Sequence, residues 1–209
     1  MGYHATVMLI RRVAAAIKNP GRLVCYLRWQ INRRSVRRVT LPSGVFHRYR
    51  GELYPDYLNH GNASSFIREK ALEHCSGKGL DIGAGDWPLP GAIPIREEPR
   101  QNAYLLDAFP DSSLDYVFSS HCLEHLDRWQ HALRLWIRKL KPGGRLFLYL
   151  PHESMKLWRR CGPWVGLRHE WIPTYQVLVP FLTVHGVEVL EYQPERDRYY
   201  SFHVIGRRR

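Results

Sequence analysis

The stretch GLDIGAG, residues 79–85, constrains the fold most, because a short apolar strand runs directly into a glycine turn. Such turns let bare backbone approach a nucleotide-shaped ligand. A dinucleotide-binding fold needs a third glycine in G-x-G-x-x-G, but Pro88 occupies that place, which argues against NAD. The remaining pattern, Asp81-x-Gly83-x-Gly85, suits a ligand with an ammonium group, because the carboxylate can order the loop and face a cation.

Short apolar segments alternate with helical patterns after residue 79, which predicts a mostly parallel sheet covered on its faces. The end of the chain differs, because a helical segment is followed by two strands joined by a charged turn, typical of an antiparallel pair. The predicted strands are 79–82, 104–106, 115–120, 145–150, 187–193 and 199–208, and the predicted helices are 63–74, 126–140 and 174–186.

Residues 1–38 form a basic arm for which we predict two short helices, 6–18 and 22–38. The second is amphipathic, with Leu23, Val24, Leu27 and Ile31 on one face. We expect this helix to pack on its own domain, with a membrane-surface helix and a polyanion-binding arm as alternatives.

The segment 39–57 contains prolines and glycines at short intervals, which indicates an irregular linker or lid. The predicted organisation is therefore a basic helical N-terminal arm and linker over 1–60, followed by a nucleotide-binding α/β domain over 61–209.

The formal charge of +12, with Lys+Arg 31 against Asp+Glu 19, favours an anionic partner such as nucleic acid, an acidic membrane or a phosphorylated substrate. The four cysteines lie far apart without a C-x-x-C pair, which indicates neither a zinc ribbon nor a dense disulfide framework. We therefore predict a cytoplasmic protein. Because no apolar run reaches the roughly 20 residues that span a bilayer, any membrane contact would be peripheral, at the inner face.

Three segments in order resemble class I S-adenosylmethionine-dependent methyltransferases. LDIGAG resembles the first motif of that family, LLDAFPDSSLDYVFSSHCLEHL its adenine-binding and fourth-strand segments, and LKPGGRLFLYLPH its fifth strand. The resemblance runs from about Gly77 to the C-terminus and is strongest to the methyltransferase-11 type, including enzymes encoded with bacterial glycan biosynthesis. It implies a Rossmann-like fold, with S-adenosylmethionine as the cofactor.

The resemblance also implies a cofactor site. The glycine turn would pass beside the methionine part of the cofactor, Asp107 would accept a hydrogen bond from the adenine, and Phe109 would cover the ring. Asp107 has a simpler alternative as a turn-capping residue. The residues implied for cofactor binding are Asp81, Gly83, Ala84, Gly85, Asp107, Ala108, Phe109 and Ser119.

The chain departs from the family in two places. Arg96 stands where an acid usually binds the ribose, so we assign that role to Glu97. Only residues 86–91 separate the glycine turn from the next strand, and Pro88 and Pro90 oppose a helix, so the first crossover helix is expected to be missing.

Methyl transfer requires alignment of the acceptor and, for a hydroxyl acceptor, removal of a proton. His121, after the fourth strand, is the best-placed base, followed by His152 and then by His169 with Glu170; a structural histidine is the alternative for each. The H-x-x-E-H spacing from His121 to His125 would permit a metal, but the resemblance places these residues at the start of a helix, and no metal is predicted.

The segment 151–174 is rich in tryptophan and arginine, which indicates either a folded flap or, by the resemblance, a lid over the acceptor pocket. The predicted reaction is O-methylation of a sugar hydroxyl on an anionic glycan, lipid-linked or nucleotide-linked acceptor. Two alternatives remain: a nucleic-acid methyltransferase, supported by the basic arm, and a non-catalytic binding or scaffold protein, supported by the two departures.

Overall fold

The computed structural model describes residues 20–209 and divides them into two compact units, each with its own sheet. The basic unit contains 20–59 and 156–169, and the central unit contains 60–155 and 170–209. The helix predicted over 6–18 lies outside the described residues. Between 20 and 209, no helix is long and apolar enough to cross a membrane.

The basic unit consists of a helix, a small sheet and the inserted segment 156–169. Its helix α1 spans Pro20–Arg34, and its strands are β1 (Arg37–Leu41), β2 (Gly44–Tyr49) and β3 (Glu52–Pro55). The strands pair antiparallel in the order β1-β2-β3.

The prediction of irregular structure over 39–57 was therefore wrong. The prolines and glycines lie in two tight hairpin turns or at strand ends rather than in an irregular loop. Leu41 pairs with Gly44 across a two-residue turn, and Tyr49 pairs with Glu52 across a second one. In that second turn Arg50 and Gly51 both have positive φ, of 49° and 81°, which is the conformation that two-residue hairpins favour.

One face of α1 is attached to the inserted segment of the basic unit. Cys25 forms a disulfide with Cys161, Trp29 Nε1 donates to Pro163 O at 3.0 Å, and Asn32 Nδ2 donates to Cys161 O at 3.0 Å. The three helix residues follow an i, i+4, i+7 spacing, so they share one face. This single disulfide joins cysteines 136 positions apart, a separation at which sequence spacing carries no signal.

The central unit has a six-stranded sheet in the order β5-β4-β6-β7-β9-β8. Neighbouring strands from β5 to β7 are parallel, whereas β9 runs antiparallel to both β7 and β8. This confirms the predicted Rossmann-like α/β fold, mostly parallel with a terminal antiparallel pair. The strands are β4 Gly79–Ile82, β5 Ile93–Ile95, β6 Leu114–Ser120, β7 Leu140–Pro151, β8 Val187–Gln193 and β9 Ser201–Arg208, and the helices are α2 Ser64–His74, α3 Trp129–Lys139 and α4 Tyr175–Val184.

Two connections differ from an idealised fold of this type. The prediction of a strand at 104–106 is wrong, because that segment forms turns, with only an isolated bridge between Asn102 and Leu105. The expectation of a missing first crossover helix is confirmed, because residues 83–92 form turns and no helix. Leu89 is buried within this short connection.

The core of the central unit lies between the sheet and the helices α3 and α4. The fully buried Leu133 and Trp136 come from α3, and Leu178 and Leu182 from α4. Trp136 also donates its indole N–H to Ala103 O at 2.8 Å, which satisfies its polar atom. This packing fixes the strands whose carboxyl ends carry the candidate site.

Candidate active site

Asp81 lies in β4 next to the glycine turn and is buried. Its Oδ2 accepts a hydrogen bond of 2.7 Å from the backbone N–H of Leu89, so it ties the strand to the far end of the following loop. Burial raises the pKa of Asp81 to about 6, against the opposing effects of the Leu89 bond and the Arg96 charge. Asp81 therefore orders the short connection in which a helix is missing.

The two glycines of the turn, Gly83 and Gly85, differ in the space available for a side chain. Gly83 has φ +84°, and a Cβ there would lie 2.4 Å from the Cβ of Cys122, so a side chain is excluded. Gly85 has φ +52°, and a Cβ there would meet nothing within 4 Å. Backbone N–H groups of Gly83 and Ala84 point to Ile95 O at 2.9 and 3.4 Å. The turn thus holds a fixed backbone beside open space, which fits a ligand that approaches the backbone closely.

The residues predicted to contact the adenine and ribose lie in contrasting environments. Asp107 and Ala108 are exposed, whereas Phe109 is buried in the hydrophobic core. Glu97 is exposed just after β5. Arg96, one position earlier, donates from Nε to Gly85 O at 2.9 Å, so it supports the glycine turn.

Ser119 lies inside the sheet. Its hydroxyl is fully buried and donates to Ile82 O at 2.9 Å, a bond between neighbouring strands at the carboxyl edge. The following hydroxyl, Ser120 Oγ, is buried and makes no hydrogen bond to any described residue. Ser119 therefore joins β6 to β4 directly beneath the glycine turn.

His121 directly follows β6 and has a backbone conformation that is unusual for a residue with a side chain. Its φ is +50°, and its N–H donates to Tyr149 O at 2.9 Å. Its Nε2 lies 2.7 Å from Ser201 Oγ, and the rings of Tyr149 and Tyr199 lie 5.5 and 5.6 Å from the imidazole. Non-glycine residues in this region cost of order 1–3 kcal/mol and concentrate at functional sites.

The contacts of Ser201 determine which imidazole nitrogen carries the proton. The hydroxyl of Ser201 also donates to Tyr199 O at 3.2 Å, and a carbonyl can only accept. Both contacts are satisfied together only when Ser201 donates to that carbonyl and accepts from Nε2–H of His121. In the neutral ring, Nδ1 is then the unprotonated nitrogen.

Asp197 holds this arrangement in place. It accepts from the N–H of Ser201 at 3.0 Å and of Tyr199 at 2.8 Å, and from the hydroxyl of Tyr149 at 2.6 Å. The sequence prediction missed Asp197, Ser201 and Tyr149. The predicted antiparallel terminal pair was an available signal, because it places the start of β9 at the carboxyl edge of β6 and β7.

Glu124 lies in the short 3₁₀ turn after His121 and is completely buried. Its Oε1 is 3.8 Å from Nδ1 of His121 and 3.8 Å from Nε2 of His125, too far for hydrogen bonds. Burial raises the pKa of Glu124 to about 8, so its carboxyl group is mainly protonated at neutral pH. A metal at this turn stays a hypothesis.

The other predicted histidines have local structural contacts. His152 Nδ1 accepts from Ser154 N at 3.1 Å and lies 2.8 Å from Ser154 Oγ, so its accepting nitrogen closes a turn. His169 is buried in the basic unit. The N–H of Glu170 donates to Glu124 O at 2.9 Å. Of the candidate bases, His121 alone combines a strained backbone with a position at the carboxyl edge of β6.

Comparison with known proteins supports the prediction made from the sequence. Residues 95–148 match the methyltransferase-11 family, described as a methyltransferase domain. No curated protein matches the sequence significantly.

Solved structures match over most of the chain. A methyltransferase dependent on S-adenosylmethionine from Thermotoga maritima is 16% identical with a TM-score of 0.54, covering 73% of this chain and 92% of its own. One from Mesorhizobium loti is 14% identical with a TM-score of 0.53, covering 72% and 100%. The chain therefore has the fold of class I S-adenosylmethionine-dependent methyltransferases.

A third similar structure contains a cofactor product. The Burkholderia thailandensis 1,6-didemethyltoxoflavin-N1-methyltransferase, with bound 1,6-didemethyltoxoflavin and S-adenosylhomocysteine, is 16% identical with a TM-score of 0.50, covering 70% of this chain and 77% of its own. The matched segment resembles a methyltransferase domain, and the fold is that of S-adenosylmethionine-dependent methyltransferases. The glycine turn, with its open side at Gly85, fits such a cofactor.

Proposed function

We propose that the protein is an S-adenosylmethionine-dependent methyltransferase that transfers a methyl group to a sugar hydroxyl of an anionic glycan, lipid-linked or nucleotide-linked acceptor, with His121 as the general base. The observation that carries this proposal is the position of His121, held at the carboxyl edge of β6 by Tyr149 O and Ser201 Oγ. An oxygen acceptor needs a proton acceptor of this kind, because a sugar hydroxyl is only weakly acidic.

The residues of the glycine turn would hold the cofactor. Gly83, Ala84 and Gly85 present backbone to the methionine part, and Asp81 keeps that backbone in place through Leu89. Asp107 and Ala108 would contact the adenine and Glu97 the ribose. All three are exposed, and Glu97 follows β5. When bound, S-adenosylmethionine supplies an already activated methyl group.

The protein residues then have two tasks, alignment and proton removal. His121 would accept the hydroxyl proton at Nδ1, its unprotonated nitrogen, as the acceptor oxygen takes the methyl group that the cofactor would supply, with S-adenosylhomocysteine as the leaving product. Ser201 and Asp197 keep the imidazole in the required tautomer. His152, the second base in the prediction, closes a turn with Ser154 and would serve by shaping the site rather than by accepting a proton.

The charge distribution supports an anionic acceptor. The described part of the basic unit has lysine or arginine at twelve positions but only two acids, Glu52 and Asp56. Such an excess attracts phosphate or carboxylate groups before specific contacts form. A cytoplasmic location stays a prediction, and the Cys25–Cys161 disulfide weighs against a permanently reducing compartment.

The test separates cofactor binding from catalysis. Purified protein is titrated calorimetrically with S-adenosylhomocysteine, with NAD as the control ligand, and turnover is then measured with a panel of acidic glycans. We expect His121→Ala to retain product binding and to lose turnover about 10²–10⁴-fold, the usual contribution of a general base. Full turnover in this variant would reject His121 as the base, and absence of binding in the folded protein would favour the scaffold alternative.

The excess of basic residues also favours a second candidate, a nucleic-acid methyltransferase. General attraction to a polyanion weakens steeply as salt rises, whereas methylation of a defined site continues once the acceptor is bound. Methyl incorporation into duplex DNA or RNA at 200 mM salt, with none into the glycan panel, would establish this candidate over the first.

A further inference from the structure

Helix α1 presents two faces of different character. Cys25, Trp29 and Asn32 face the inserted segment and contact it through the disulfide and two hydrogen bonds. The side chains of Val24, Leu27 and Ile31 are 47%, 53% and 68% exposed. Because residues advance about 100° around a helix, these three form one stripe, roughly opposite the attached face.

Basic side chains lie along both margins of this stripe. The same helical geometry places Arg28 on one side of it and Arg34 on the other, and both are exposed. Between residues 20 and 51 the sequence has eight arginines and no acidic residue. The surface therefore combines an exposed apolar stripe with exposed arginines.

We propose that the stripe of Val24, Leu27 and Ile31, with Arg28 and Arg34 at its margins, binds an anionic lipid bilayer. The apolar side chains would enter the boundary between headgroups and acyl chains while the guanidinium groups contact the headgroup phosphates, as amphipathic helices do. The attached face keeps this stripe directed away from the inserted segment of its own unit.

A lipid surface explains both features of α1, whereas a nucleic acid explains only one. The phosphates of DNA or RNA would pair with the arginines but would leave the three aliphatic side chains in water. A bilayer removes those side chains from water and also supplies negative charge at its surface. The two candidates can be separated experimentally, because binding to a bilayer requires the apolar side chains and binding to a nucleic acid does not.

The experiment uses the full chain and co-sedimentation with vesicles, without cofactor or acceptor, so its result is independent of the methylation proposal. Vesicles of phosphatidylcholine with 40% phosphatidylglycerol are compared with phosphatidylcholine alone, in a binding series across salt concentrations. The variants are Leu27→Ser/Ile31→Ser and Arg28→Gln/Arg34→Gln. The matched control is Val184→Ser/Leu190→Ser, which removes two apolar side chains exposed on the central unit.

We expect binding to the anionic vesicles and at least tenfold weaker binding to the neutral ones. Each α1 double variant should lower the partition coefficient about tenfold or more, and the control pair should leave it unchanged. Circular dichroism verifies that every variant keeps its helix content.

Several outcomes would overturn the proposal. Unchanged vesicle binding in Leu27→Ser/Ile31→Ser, or an equal loss in the control pair, would show that the stripe is not the binding surface. Binding to a DNA duplex that requires Arg28 and Arg34 but not Leu27 and Ile31, together with no vesicle binding, would assign the surface to nucleic acid. A dimer in sedimentation velocity that the Leu27→Ser/Ile31→Ser change dissociates would assign it to a second copy.

Discussion

The basic unit and the central unit use charged residues in opposite ways. In the basic unit, arginines such as Arg28 and Arg34 are exposed and greatly outnumber acids. In the central unit, the acids Asp81 and Glu124 are buried, and burial raises the pKa of each. Exposed charge of one sign attracts partners over a distance, whereas buried polar groups fix geometry at a site.

The two units are also stabilised in different ways. Within the basic unit, α1 is connected to the inserted segment by a covalent bond as well as by packing. The central unit relies on a large apolar core that contains Trp136, Leu148 and Leu182. A unit with a small core gains most from a covalent link, because the link reduces the conformational freedom of the unfolded chain.

The largest expected effect is therefore on the basic unit when its disulfide is removed. We expect Cys25→Ser/Cys161→Ser to reduce the free energy of unfolding of this unit by about 3–4 kcal/mol, because the central unit stays folded and only the roughly 40 residues of the basic unit between the cysteines gain freedom. Hydrogen exchange should show loss of protection in α1 and β1–β3, with protection in β6 and β7 retained. Equal loss in both units would contradict the contrast between them.

A smaller effect is expected at the glycine turn of the central unit. Gly83→Ala places a Cβ 2.4 Å from Cys122 Cβ at a positive φ, so we expect a loss of about 2–4 kcal/mol from strain and overpacking together. Gly91→Ala is the matched control, because Gly91 also has positive φ, +81°, but its Cβ would meet nothing within 4 Å. Urea unfolding compares the two, and equal losses would show that the contact with Cys122 is unimportant.

Burial of Glu124 should make the stability of the central unit depend on pH. The pKa of Glu124 is about 8 in the folded protein and near 4.5 in the unfolded chain, so the folded state binds the proton more tightly. This contribution is complete below pH 4.5 and is lost as the pH rises through 8, with a total of roughly 1–4 kcal/mol.

Urea unfolding at pH values from 5 to 9 measures this contribution. Glu124→Gln should flatten the decline in stability between pH 6 and 8. Asp81→Asn provides the comparison, because the folded pKa of Asp81 is about 6 and its contribution, of the same sign, is lost between about pH 4 and 6. A decline above pH 6 that persists in Glu124→Gln would exclude Glu124 as its source.

The sequence predicted the central unit far better than the basic unit. Its helices have clear periodic patterns, and β4 at Gly79–Ile82 was predicted with its observed bounds. The strands β1–β3 were missed because prolines and glycines occur at their ends and in the turns between them, and these residues predict breaks rather than strands. The disulfide was missed because contact between residues 25 and 161 is a property of tertiary structure.

For the candidate site, the sequence identified residues that follow one strand but not those brought in from a distant one. Asp81, Gly83 and His121 were found because they lie in a predicted strand or directly after one. Asp197 and Ser201 were missed because their role depends on the register in which β9 pairs with β7, where Ser201 lies opposite Pro151. Most residues of β9 are buried on both faces, so its sequence lacks the apolar–polar alternation that would specify its register.

The smallest expected effect tests whether β9 positions His121 as the base. This prediction rests on the proposed methylation. Ser201→Ala removes the acceptor for Nε2–H of His121, so we expect kcat to fall about tenfold, equivalent to about 1.4 kcal/mol, with KM nearly unchanged. Nitrogen NMR of the imidazole should show a shift from the Nε2–H tautomer toward a mixture of the two tautomers.

The matched control is Ser113→Ala, which removes a hydroxyl that also donates to a backbone carbonyl, that of Pro110. This variant should change neither kcat nor the tautomer of His121. A tenfold lower kcat without any change in tautomer would mean that Ser201 acts on the acceptor pocket rather than through His121. Activity would then depend on the shape of that pocket more than on the tautomer of the base.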